Sequence, residues 1–187
     1  MEKDEIHSFE IEYDAMHHFK NLYELIYRWL DDHGFKDRNI GKDKYEILYF
    51  ERVKPDETKE HHIWWRAKKQ PTSDFFEYWL NIDFQTLYLG STKIMKEGEK
   101  VKTNIGDSII RAKAILIKDK NDYFEKNRLL NFFKGRYFNK WGKSRIDDAE
   151  EELMGLITDL QERIKQYFEL NTNKERPEPY YWPAKGV

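Results

Sequence analysis

Two features of the sequence predict an α+β fold: an apolar period of two at the start and in the middle of the chain, and an apolar period of 3.6 over 16–30 and 146–168. The expected architecture is a curved antiparallel sheet of about five to six strands, packed against an N-terminal helix and a long C-terminal helix. A third observation sets the strand direction. The middle runs are joined by short polar stretches, KPDETKE at 54–60, KKQPTSD at 68–74 and KEGEK at 96–100, which suit an antiparallel meander.

Residues 5–13 alternate, with His7, Phe9, Ile11 and Tyr13 on one face and Ser8, Glu10 and Glu12 on the other. A helix is expected directly afterwards. Asp14 is its candidate cap, Met16, Phe19, Leu22, Tyr23, Leu25, Ile26, Trp29 and Leu30 form its stripe, and Gly34 is its stop. Tyr45, Ile47 and Tyr49 then share one strand face, and Ile63, Trp65 and Ala67 another. Phe76, Tyr78, Leu80, Ile82 and Phe84 oppose Glu77, Asn81 and Asp83, and the last strand is expected over 108–117.

From about residue 122 the helical period returns. Ser144 with Asp147 reads as a capping box, acids crowd the first turns, and the stripe runs Ile146, Ala149, Leu153, Leu156, Ile157, Leu160, Ile164, Tyr167 and Phe168. This stripe is wider than a coiled-coil seam and suits a helix lying on a sheet. The expected organisation is a single domain over 1–170 and a Pro/aromatic tail over 171–187, ordered by packing through Tyr180, Tyr181 and Trp182. The order strand, helix, meander, long helix resembles the helix-grip arrangement of START-like lipid and small-molecule carriers. That resemblance covers most of the chain, is one of element order, and rests on no residue motif.

The 187 residues carry 33 Lys and Arg against 35 Asp and Glu, a net charge of −2, which argues against a whole-chain polyanion binder. The absence of cysteine excludes disulfides, thiolate nucleophiles and zinc fingers. With no apolar leader and no long apolar run, a cytoplasmic location is the expectation.

The motifs that imitate chemistry fail on geometry. Pro55-Asp56-Glu57-Thr58-Lys59 spells a nuclease signature, but a contiguous turn cannot set two carboxylates on neighbouring strands around one metal. His17-His18 and His61-His62 are adjacent pairs, so neither can chelate alone. Glu77, Asn81 and Asp83 are expected on the solvated face of the sheet. No catalytic, cofactor-binding or metal-binding residues are expected.

The segment 126–145 holds seven basic residues and no acid, interleaved with aromatics. As one helix it would gather Leu129, Leu130, Phe133, Tyr137 and Trp141 in a sector of about 120°, with Lys140 inside it and Phe132 and Phe138 outside. Such mixing weakens a membrane-surface reading. The alternative is a broken helix whose rings cover the end of the sheet.

The leading expectation is a non-enzymatic protein-binding or self-assembling domain, a homo-oligomer in its simplest form. Its contact surface is expected at Lys134, Arg136, Tyr137, Lys140, Trp141, Tyr180, Tyr181 and Trp182. One alternative is a carrier with an apolar pocket lined by Tyr45, Tyr49, Trp65, Tyr78 and Phe84. Another is association with RNA or a lipid surface through 126–145.

Overall fold

The computed structural model describes residues 2–38, 45–96, 99–126 and 128–175, without the side chains of 94–96, 99–101, 128, 139, 141 and 170–175. Its strands are β1 (Glu2–His17), β2 (Lys36–Asp37), β3 (Glu46–Val53), β4 (Lys59–Lys69), β5 (Phe76–Lys96) and β6 (Glu99–Lys118). They form an open antiparallel sheet of order β1-β6-β5-β4-β2, with β3 also paired to β4. Helix α1 (Phe19–Asp32) carries the chain from the β1 edge to the β2/β3 edge. The β3–β6 meander then walks back until β6 meets β1. The α+β class, the meander and the order of elements are as the sequence leads one to expect.

The first strand runs farther than its alternation suggests. Residues 14–17 pair with 104–107 of β6, so Asp14 stands opposite Asp107 and caps nothing. The helix starts instead after His18, which makes no side-chain cap bond. Its C-terminus closes as a Schellman motif. Gly34 has φ 71°, its N–H donates to the Asp31 carbonyl at 2.9 Å, and the Phe35 N–H donates to the Leu30 carbonyl at 2.9 Å. Phe35 then stacks on Trp29, with ring centroids 5.8 Å apart.

The last strand begins at Glu99 rather than near 108. Between Thr86 and Gly90 the β5–β6 register shifts, and Gly106 faces that irregularity with φ 134°. A Cβ there would lie 2.1 Å from the Tyr88 carbonyl oxygen, so only glycine lets the two backbones approach. Beyond this point the two strands continue as a ribbon, Lys96 pairing with Glu99.

After β6, Asp119 accepts the backbone N–H groups of Tyr123 (2.7 Å) and Phe124 (3.2 Å), which starts α2 (Tyr123–Lys126). Helix α3 (Arg128–Arg136) and a π-helical turn over Tyr137–Trp141 follow. The segment is therefore broken, as the second reading of its periodicity expects. Helix α4 (Lys143–Glu175) starts before Ser144, with the Gly142 carbonyl accepting the Ile146 N–H at 3.0 Å, so Ser144 lies in the first turn and not at a capping-box position. The same helix runs past residue 170 into the expected tail. Tyr180, Tyr181 and Trp182 lie outside the described residues.

Both long helices cover one face of the sheet. Leu153, Ile157, Leu160 and Ile164 of α4 are fully buried, as are Leu22, Ile26 and Leu30 of α1. Burying each such side chain contributes about 1.5–3 kcal/mol relative to leaving it in water. The sheet supplies Ile63, Trp65 and Ala67 from β4 and Tyr78, Leu80, Ile82 and Phe84 from β5. Two polar clamps fix the helices. Asp159 of α4 accepts the Trp29 indole N–H of α1 at 2.6 Å, and Lys118 of β6 reaches Asp4 of β1 (2.5 Å) and Glu150 of α4 (3.0 Å).

Candidate functional site: the apolar edge and the aromatic connector

The connector divides into two parts with opposite behaviour. Phe124 is buried, and the rings of Tyr137 and Phe138 turn inward to meet it at 5.2 and 5.6 Å and to meet Phe75 at 5.6 and 6.0 Å. These rings close the end of the sheet where β5 starts and β6 finishes. Helix α3 between them does the reverse: Leu129, Leu130, Phe132 and Phe133 are 77, 43, 85 and 42% exposed.

Of the contact residues expected here, Arg136 and Lys140 are exposed, and the Lys134 ammonium lies 3.9 Å from the carboxylates of Glu2 and Glu125. Tyr137 belongs to the inward cluster. Trp141 lies in the π-helical turn.

A second exposed apolar surface is on β3. Bulging at Ile47 shifts the register between Glu46 and Leu48, so that Glu46 faces Trp65 while Leu48 faces Trp64. Tyr49 and Val53 then lie over the helix-covered face, and Leu48 and Phe50 on the opposite one. Ile47, Leu48, Tyr49, Phe50 and Val53 are between 36 and 60% exposed, and Trp64 of β4 beside them is 43% exposed. The far edge of β3 pairs with no described strand.

Sequence reasoning placed Ile47 and Tyr49 on one strand face with Tyr45 and passed over Trp64. The available signal was the run Ile47-Leu48-Tyr49-Phe50, four consecutive apolar residues, which makes both faces of a strand apolar.

The five residues expected around a pocket separate. Tyr45, Trp65, Tyr78 and Phe84 are buried, whereas Tyr49 is 51% exposed. Trp65 packs on Tyr45 and Phe84 with ring centroids at 6.1 and 4.9 Å, and Tyr23 of α1 adds a contact at 4.5 Å. Tyr78 sits farther along, donating its hydroxyl to Glu152 at 2.7 Å. Burial, with Glu152 as a further cause, raises its pKa.

One row of polar groups crosses the apolar face: Tyr13, Ser108, Thr86, His61 and Glu51 stand opposite one another from β1 to β3. His17 joins it, donating from Nδ1 to the Ala15 carbonyl at 3.0 Å and accepting the Ser108 hydroxyl at Nε2, 2.8 Å away. His61 Nδ1 accepts from Thr86 at 2.8 Å, and its Nε2 lies 3.6 Å from Glu51. Burial lowers the pKa of both imidazoles, against the opposing pull of the Ala15 carbonyl on one and of Glu51 on the other.

A Ser–His contact of this length can activate a hydroxyl. Here Ser108 and His17 are each 1% exposed, and the orienting partner is a backbone carbonyl instead of a carboxylate.

The polar face of the sheet is paired within itself. Arg66 meets Asp83 at 2.6 Å, Lys113 meets Glu5 at 2.9 Å, and Arg111 meets Glu10. Glu77 accepts the Trp79 indole N–H at 3.2 Å, and Asn81 accepts from Arg38 at 2.7 Å. An open groove of about 500 Å³ lies over Ser8, Asn81, Asp83, Arg111 and Lys113. Among the described residues, no group of three or more His, Asp and Glu is placed to hold a metal ion. No described helix is long and apolar enough to cross a membrane.

Comparison of the chain with models of protein families, with curated proteins and with solved structures finds no match. The likeness to helix-grip carriers therefore remains one of element order.

Proposed function

We propose that this chain is a non-enzymatic interaction module that binds other protein strands along β3, a second copy of itself first among them. The observation that carries this reading is the eight-residue edge strand with apolar side chains on both faces and a backbone edge unpaired among the described strands. Such an edge offers backbone hydrogen bonds for affinity and alternate side chains for selectivity. Trp64 extends the apolar area from β4 and supplies the kind of aromatic anchor common at interface centres.

The test is light scattering after size-exclusion chromatography on the full chain and on a Leu48→Lys, Phe50→Lys double variant. Expected is a dimer or larger species for the parent and a monomer of unchanged melting temperature for the variant. A monomeric parent at the highest soluble concentration, or a variant that still assembles, overturns the reading.

A further inference from the structure

We propose that α3 is a docking element for anionic lipid surfaces, separate from the β3 edge. At 100° per residue Phe132, Leu129, Phe133 and Leu130 span an arc of about 160°. Phe132 at its margin is 85% exposed, with Phe133 packed against it edge-on at 5.4 Å. The π-helical turn removes residues 137–141, Lys140 among them, from this helix and turns Tyr137 and Phe138 inward, which leaves Arg136 as the one cation within the apolar arc of α3 and Lys134 about 40° beyond its margin.

Charge complementarity selects the occupant. From 126 to 145 the chain has Lys126, Arg128, Lys134, Arg136, Lys140, Lys143 and Arg145 and no acid, although the whole chain is slightly negative. Lys134 is shared with Glu2 and Glu125, but Lys126, Arg136 and Lys140 are exposed, so a projecting apolar helix flanked by surface cations matches the two demands of a bilayer surface: an apolar group to enter the acyl boundary and cations for the headgroups. Leu129 and Phe132 stand more than three-quarters exposed, so α3 offers a knob instead of a slot. A soft, flat layer suits a knob better than a shaped protein partner does.

The experiment is co-sedimentation of the full chain with vesicles of phosphatidylcholine alone and with vesicles containing phosphatidylserine, at low and at moderate salt. Two variants accompany the parent, Phe132→Ser with Phe133→Ser, and Lys134→Glu with Arg136→Glu. Phe132, Phe133 and Arg136 are exposed and Lys134 is half-buried beside Glu2 and Glu125, so circular dichroism and the melting temperature check that each variant folds, and an Arg136→Glu, Lys140→Glu variant repeats the charge reversal at two exposed positions. Expected is salt-sensitive binding to the anionic vesicles, weakened about 30-fold or more by the charge reversal and lost in the serine variant.

Absence of binding to either vesicle at low salt overturns the proposal. Retention of anionic binding by the serine variant also overturns it, by moving the contact to another surface. A change of oligomeric state in the serine variant without vesicle binding overturns it in favour of a protein partner. The β3 reading is scored separately, by the assembly state of the Leu48, Phe50 variant.

Discussion

The two edges of the sheet solve the same problem in opposite ways. β1 carries Glu2, Asp4, Glu5, Glu10, Glu12 and Asp14 in sixteen residues, breaks its register between Glu5 and His7, and lies against α4. Charge and irregularity of this kind discourage an extra strand. β3, half as long, also bulges, yet it exposes Ile47, Leu48, Tyr49, Phe50 and Val53. The difference teaches that apolar exposure here is local and asymmetric. One edge is held shut by acids, while the other is left as a surface to be covered.

The largest test of this contrast is a pair of truncations. Phe9→Ala on β1 removes a ring that is 8% exposed and should lower the unfolding free energy by about 3–4 kcal/mol in urea titrations. Phe50→Ala on β3 should stay within about 0.5 kcal/mol on dilute protein. Equal losses at the two edges would erase the distinction.

Next in size is Lys118→Ala, which strips Asp4 of β1 and Glu150 of α4 of their shared cation and should cost about 2 kcal/mol. Burial alone would depress the Lys118 pKa, but the two carboxylates together hold it above its ordinary value. A loss below about 0.5 kcal/mol would mean that the β1–β6 ladder alone secures the first strand.

The pH profile comes third. His17 and His61 have folded pKa values below the ordinary imidazole value of 6.5, so between the two the unfolded chain binds more protons and stability rises with pH. Their contribution is complete above about pH 6.5 and is lost as pH falls toward the folded values. The lowered carboxylates, among them Glu51 and Glu60, act near and below their ordinary 4.5, and the raised Asp107 contributes with the opposite sign, so a rise in unfolding midpoint from pH 5.5 through 6.5 to 7.5 is the signature of the histidines. Replacing each in turn by Gln should flatten part of the slope, and an unchanged slope would remove that histidine from the account.

The smallest effect is expected from Asp14→Asn. Asp14 stands opposite Asp107, whose carboxyl is raised in pKa by burial and by Asp14 itself. Relieving the pair should add about 0.3 kcal/mol, seen as a rise in melting temperature of about 1 °C.

Where a period was strict, sequence and structure agree. The alternation of Phe76 to Phe84 and the stripe of α4 each have one apolar side, and one partner surface buries it. Boundaries were legible only where local chemistry was not outbid. Asp14 is a good cap by type, but pairing of residues 14–17 with β6 yields a ladder that a cap cannot match, and the helix waits until Phe19. β3 misled for a related reason: one extra residue at Ile47 changes which side each following residue faces, and no single-residue preference announces a bulge. The connector defeated a constant angle per residue because its π-helical turn changes the angle at Tyr137, so Tyr137 and Phe138 within the turn pack inward while Phe132 and Phe133 before it face out.

The pairing of β1 with β6 links residues about 100 positions apart, as in the Glu10–Arg111 contact. A ribosome adding 5–20 residues per second leaves the first strand without its partner for roughly 5–20 s of synthesis. Until β6 arrives with Arg111, Lys113 and Lys118, the acids of β1 lack the cations that neutralise them in the fold, and two such unpaired strands repel each other instead of pairing.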